Sequence, residues 1–161
     1  MKNRLRKTRK LDRTDRLILK HLQQDGRISN VALAKKVNLS TTPCHERVRR
    51  LERHGYIKNY TALLEPQLVD AGLLVFVEID LLRTSPDAFR DFRREAMKLR
   101  ELLECHLVSG NFDYLLKARV KDMQEYRRLL GEKILALPGV SDSRSYVVME
   151  EVKESTVLPV T

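Results

Sequence analysis

Tryptophan is absent from the chain, phenylalanine occurs only four times, and two cysteines stand among 161 residues. Two thiols build no disulfide framework, so the fold must rest on packing and hydrogen bonds, and both are expected to be free. Cys44 and Cys105 are each followed by a histidine, His45 and His106. Adjacent ligands lack the gaps of a zinc site, so neither a metal nor another cofactor is expected. No apolar run approaches the roughly 18 to 20 residues that cross a bilayer, which argues against a membrane span. The basic opening KNRLRKTRK has no apolar core behind it, so no export signal is expected and the cytoplasm is the expected compartment.

Acidic residues are scarce in one half only. The first sixty positions hold seventeen Lys and Arg against five Asp and Glu, a balance of +12, and the remainder holds fourteen against seventeen, a balance of −3. A split of this size separates a polyanion-binding half from a neutral one. With a net charge of +9, the sign alone does not distinguish nucleic acid from an anionic membrane surface.

Residues 1–10 carry six Lys or Arg and almost nothing apolar, as a disordered basic arm would. From Asp12 the pattern turns helical: Ile18, Leu19 and Leu22 share a face as far as Asp25, where Gly26 can take the left-handed conformation that ends a helix. Ser29 is placed to cap a second helix with Leu33, Ala34 and Val37 inward. Residues 37–40 make a turn in which Asn38 tolerates left-handed geometry. Thr42 and Pro43 then have the order of a cap and a first-turn proline, opening a third helix to about His54, closed by Gly55. Its Cys44, Val48 and Leu51 face inward at i, i+4, i+7, which leaves Thr42, His45, Arg47, Arg49, Arg50 and Arg53 mostly outward.

After Gly55, YIKNYTALLEP reads as an extended strand or linker ended by Pro66. The second half then alternates regularly. A strand is expected at Leu73–Leu81, a helix at Pro86–Arg100, strands near Glu104–Val108 and Phe112–Val120, a helix at Asp122–Leu137 and a strand at Ser143–Val152. The order is β-α-β-β-α-β. Helix stripes of Phe89, Phe92, Ala96, Leu99 and Leu103, and of Met123, Tyr126, Leu130, Ile134 and Leu137, need a sheet to cover. The first strand offers Val75, Val77, Ile79 and Leu81 on one face. Its other face, with Leu74, Phe76 and the neighbouring Leu115, would stay wet in a monomer, which points to self-association.

DGRISN, TPC, ERVRRLER, YTALL, LLVFVEI, ECHLVSG, FDYLLK, ALPGV and YVVMEEVK occur in this order from Leu11 to Lys153. In this the chain resembles the leucine-responsive group of the Lrp/AsnC transcription regulators. The resemblance implies an α+β protein: an N-terminal winged helix-turn-helix DNA-binding domain over 11–55, a linker strand over 56–70, and a ferredoxin-like β-α-β-β-α-β domain over 71–161 that binds an effector and oligomerises. It also implies double-stranded DNA and an amino-acid effector such as leucine as partners. The homo-oligomer would be a dimer assembling into an octamer or larger, nucleoid-associated, and the protein would not be an enzyme.

A helix that reads the major groove needs long polar side chains on its outer face, which Thr42, His45 and Arg49 supply. Ser40, Thr41, Thr42 and the free N–H groups at the helix start can hold a phosphate. Arg47, Arg50 and Arg53 can read guanine or grip phosphate, and the sequence alone does not choose. For the effector, the resemblance points to Leu107, Gly110, Asp113, Met123, Tyr146, Val147 and Val148. Asp113 would receive the ammonium, and Leu107, Met123 and Val148 would line the apolar part. Read without the family, Asp113 is a turn residue and the three apolar residues are core.

Two rival classes fit less well. An RNA-binding sheet would need exposed aromatics on central strands, where only Phe112 and Tyr114 are candidates and the basic charge lies in the other half. An enzyme would have Asp113 and His106 as its best acid–base pair, with no nucleophile set or phosphate loop beside them.

Overall fold

The computed structural model describes residues 10–161, so all of the expected basic arm except Lys10 lies outside the described residues. The chain forms two compact units, one running to Leu63 and including Glu154–Thr161, the other Leu64–Lys153.

In the first unit α1 spans Arg13–Gln24, α2 Asn30–Lys36 and α3 Thr41–Arg53. A reciprocal capping box starts α1: the Asp15 N–H donates to the Asp12 side chain at 2.8 Å, and the Asp12 N–H to that of Asp15. The helix ends by a different device from the one expected. Gly26 has no positive φ; instead Asp25 turns extended and its carboxylate accepts from the Arg27 N–H at 2.9 Å. Ser29 caps α2 as expected, accepting from the Ala32 N–H. Asn38 takes a φ of 54° and Gly55 one of 77°, so both sharp turns fall where the sequence puts them. The cap of α3 is Ser40 rather than Thr42, which puts Pro43 third in the helix. Proline is tolerated there because none of the first four N–H groups has a helical partner.

Ile18, Leu19, Leu33, Ala34, Val37, Cys44 and Leu51 are buried together, with Val48 packed against them. Burial pushes the Cys44 thiol up, so it behaves as an apolar core residue. The C-terminal segment also belongs to this unit. Gln23 bonds both ways with the Leu158 backbone, at 3.0 and 2.8 Å, Arg16 donates to the Thr161 carbonyl, and Val160 packs on the helical core. Truncation before Val157 therefore lowers the stability of the first unit by about 1 to 2 kcal/mol, from one partly buried valine and two exposed amide bonds. An unchanged denaturation midpoint for that unit would show the tail to be a passenger.

The chain bends at Tyr56 and Ile57, which pack on the helical core, residues 58–65 form no regular element and pair with no strand among the described residues, and a 3-10 turn follows at Pro66–Val69. The second unit contains β1 Leu73–Leu81, α4 Pro86–Ala96, β2 Leu102–Leu107, β3 Tyr114–Val120, α5 Met123–Arg128 continuing as a π-turn over Leu129–Ile134, and β4 Val140–Val147. The sheet is antiparallel with order β2-β3-β1-β4.

Several boundaries differ from expectation. Helix α4 stops at Ala96, four residues early, in overlapping turns at Lys98 and Leu99 that lead directly to β2. Leu103 consequently lies in β2 and is exposed. In the π-turn the Leu135 N–H donates five residues back to Leu130, and Leu129 and Ile134 are buried; Met123, expected on the buried stripe, is exposed at the start of α5. β4 begins earlier and ends at Val147. Phe92 stacks on Tyr114 with ring centroids 4.3 Å apart, among Val75, Val77, Ile79 and Ile134. Leu74, expected to be wet, is buried opposite Arg119, whose guanidinium meets Glu151 at 2.5 Å.

Candidate nucleic-acid interface and effector positions

Helix α3 is braced at its start, where the Asn30 side chain donates to the Thr41 carbonyl at 2.9 Å. Ser40, Thr41, Thr42, His45, Arg49 and Arg53 are all exposed. Among the described residues neither Arg49 nor Arg53 has an ion-pair partner, and the Ser40 side chain makes no capping bond. The row from Thr42 through His45 and Arg49 to Arg53 advances by three or four residues, so it follows one side of the helix. It combines short hydroxyls at the partly positive helix start with long cations farther along. Such a row can place hydroxyls and N–H groups on a phosphate while longer side chains reach base edges.

The outward placement expected for Arg47 and Arg50 is corrected. Arg47 Nη1 lies 2.6 Å from Asp12 and 2.8 Å from Asp15, and Arg50 Nη2 lies 2.7 Å from Asp15. Each arginine side chain is only 28% exposed and Asp15 only 6%. The bond from Arg47, then that from the Asp15 N–H, holds the Asp12 carboxyl below its ordinary value. The sequence carries a signal for this cluster. Asp15 occupies the apolar register of α1, three and four residues before Ile18 and Leu19, and a carboxylate on a buried stripe requires cationic partners.

The positions expected for the effector do not meet within one chain. Leu107 pairs with Tyr114, which pairs with Ile79, so Leu107, Gly110 and Asp113 lie at that end of the sheet. Val147 pairs with Val75, and Val148 bonds to Leu74, at the other end. Met123 follows Val120, which pairs with Leu73, and so joins the second group. From strand spacings the groups stand roughly 13 Å apart along the strands and roughly 14 Å across them. Leu107, Met123, Tyr146 and Val147 are exposed, and a Cβ built on Gly110 would touch nothing. Leu107 and Met123 are therefore not core residues.

Asp113 has a structural duty. Its Oδ2 accepts from the Leu81 N–H at 2.8 Å, and its backbone bonds to Ile79 and Val108, fastening β1 to the turn before β3. His106 meets Glu104 at 2.9 Å instead, so the two form no acid–base pair. An open cleft of about 680 Å³ lies beside Leu107, lined also by Arg93, Met97, Leu103 and Cys105.

The open face of the sheet carries Phe76 and Leu115 among charges: Tyr146 donates to Glu78 at 3.1 Å, Arg144 lies 3.7 Å from Glu78, and Lys117 lies 3.3 Å from Glu104. Tyr114, the best aromatic for base stacking, is 2% exposed on the opposite face.

Comparison with known proteins follows the same division. Residues 11–58 match the winged helix-turn-helix DNA-binding family, and residues 74–158 match the Lrp/AsnC ligand binding domain. The leucine-responsive regulatory proteins of Escherichia coli (strain K12) and Serratia marcescens are each 66% identical to this chain over 148 residues, 92% of this chain and 90% of theirs. A transcriptional regulator from Neisseria meningitidis, solved in complex with L-Met, superposes with a TM-score of 0.89 at 39% identity, covering 93% of this chain and 97% of that one. An AsnC family transcriptional regulator from Agrobacterium tumefaciens gives 0.88 at 37% identity, covering 92% and 97%.

Proposed function

The chain belongs to the Lrp/AsnC family of DNA-binding transcriptional regulators, and from that premise we propose that the exposed row of α3 reads operator DNA and that leucine, or another branched-chain amino acid, tunes the binding by shifting the assembly of the protein. The protein works by binding rather than catalysis, on chromosomal DNA in the cytoplasm. Ser40, Thr41 and Thr42 hold a phosphate, His45 and Arg49 face base edges, and Arg53 extends the cationic row.

One observation carries the effector reading: the positions assigned to it form two groups at opposite ends of one sheet. An amino acid needs an anion, N–H donors and an apolar pocket within a few ångströms, so a site drawing on both groups requires a second copy of the chain. Asp113 Oδ1, which accepts no hydrogen bond among the described residues, is the proposed ammonium partner. The open face with Phe76 and Leu115 is the proposed dimer contact, and dimers joined further into an octamer or larger ring present several helix-turn-helix units to successive sites. An effector at such contacts acts only through differential affinity for the assembly states. Domains are assigned accordingly: DNA binding over 11–55, a linker over 56–70 and effector binding with assembly over 71–161.

The test is titration of the protein with the twenty amino acids, reading binding heat and oligomer mass together. Leucine or a branched-chain relative should release heat and change the mass, and Asp113→Asn should lose both responses while still binding duplex DNA. Heat from leucine with no change in mass would refute the assembly mechanism, and a monomer at micromolar concentration would remove the dimer contact.

A further inference from the structure

The first unit contains a charge cluster that duplex binding leaves unused. Asp15 is 4% exposed, on the apolar stripe of α1, with Arg47 and Arg50 of α3 closing on it and Asp12 beside them. Both its oxygens are occupied: Oδ1 receives Arg47 Nη1 at 2.8 Å and Arg50 Nη2 at 2.7 Å, and Oδ2 receives Arg50 Nη2 at 2.8 Å. Two carboxylates thus neutralise two of the four arginines on α3. A phosphate that claimed Arg50 would leave a buried carboxylate without its partner, and breaking a buried pair costs more than one exposed phosphate contact returns. The two arginines consequently add little to the phosphate-attracting charge of the surface.

We propose that Asp15, assisted by Asp12, is a specificity-determining positioning residue. It holds Arg47 and Arg50 against α1 and away from the backbone of DNA, so that duplex binding is driven by the row that also reads bases. Sequence-independent attraction grows with every free cation that reaches a phosphate, while discrimination grows only with contacts to base edges. Sequestering half of the arginines of α3 raises the ratio of operator to random-duplex affinity without altering a base contact. Asp15 touches no DNA in this role and acts wholly through the two guanidiniums.

The inference rests on the duplex-binding reading above, and the salt dependence of binding separates the two. The full chain, as it assembles, is titrated with a duplex selected from a random pool and with a scrambled duplex over a range of salt, and the slope of log affinity against log salt is compared among variants. Asp15→Asn should steepen the slope on scrambled duplex by about 0.9 for each arginine released per bound unit, and should lower the selected-to-scrambled ratio about tenfold. Asp12→Asn, at a half-exposed position, removes the shorter of the two bonds that hold Arg47 and leaves the one to Asp15, so it should steepen the slope by less than the roughly 0.9 of a full release. Arg47→Gln should leave the slope unchanged, whereas Arg53→Gln should flatten it.

An Asp15→Asn slope equal to wild type in a folded protein overturns the proposal, and so does an Arg47→Gln slope flattened by about 0.9, since that arginine would already lie on phosphate. Should Asp15→Asn fail to fold, Asp12→Asn and Arg47→Gln decide. Absence of duplex binding by the wild type would instead sink the regulator reading itself.

Discussion

Arg49→Ala weakens binding to a selected operator by about 1 to 3 kcal/mol, roughly 5- to 150-fold, and relaxes preference at the base pair that it contacts. The argument is one of position. Arg49 is exposed and has no ion-pair partner among the described residues, one turn beyond His45 on the row that begins at Thr42. Loss of a bidentate contact to guanine removes both affinity and discrimination, whereas loss of a phosphate contact weakens all sequences alike. Competition between selected and scrambled duplexes separates these outcomes. Equal weakening on both would make Arg49 a phosphate contact, and no weakening would turn the proposed surface away from DNA.

Phe92→Ala destabilises the second unit by about 3 to 5 kcal/mol, the range for emptying a fully buried aromatic site. Phe92 is 0% exposed and stacks on Tyr114, which Phe89 meets edge-on at 6.0 Å, so α4 and β3 meet through this group of rings. Val75, Val77 and Ile79 surround them in the same core, and that sheet carries the proposed effector positions at both of its ends. Calorimetry should show the transition of the second unit moving down while that of the first, whose core shares no residue with it, stays in place. Effector response falls with the stability of the sheet. A uniform shift of one merged transition would mean that the two cores do not melt separately.

Much of this architecture is legible in the sequence because each element signals itself locally. β1 reads directly, since Val75, Val77, Ile79 and Leu81 alternate with Glu78 and Asp80. Ser29, Asn38 and Gly55 mark their turns by backbone chemistry that few other residues supply. Features set by tertiary contact are harder to read. The π-turn after Arg128 buries Leu129 and Ile134, five positions apart, together, a spacing that a regular helical stripe does not foresee. Docking of residues 157–160 on α1 joins segments 135 positions apart, and a short apolar run such as VLPV does not name its partner.

The candidate site divides in the same way. Exposure of Thr42, His45, Arg49 and Arg53 follows from helical periodicity, but Arg47 and Arg50 lie on the flank of the inward face that Cys44 and Leu51 define, within reach of Asp15. Periodicity places them near the boundary between core and solvent, and only the acidic residue on α1 decides which way they turn. The residues proposed for the effector lie apart in one chain for a related reason. A resemblance orders residues along a sequence but does not show which copy supplies each of them.

Hydrogen exchange of the full chain, with and without the selected duplex, tests the central claim most directly. At the start of α3 the amides of Ser40, Thr41 and Thr42 have no helical acceptors, Pro43 carries no N–H, and the first bond of the helix runs from Cys44 to Ser40, so the first three should exchange quickly in the free protein. The account predicts that DNA slows them strongly, together with the exposed row through Arg53, while β2 and β3 are unaffected. Protection confined to the sheet, with residues 40–53 unchanged, would contradict it.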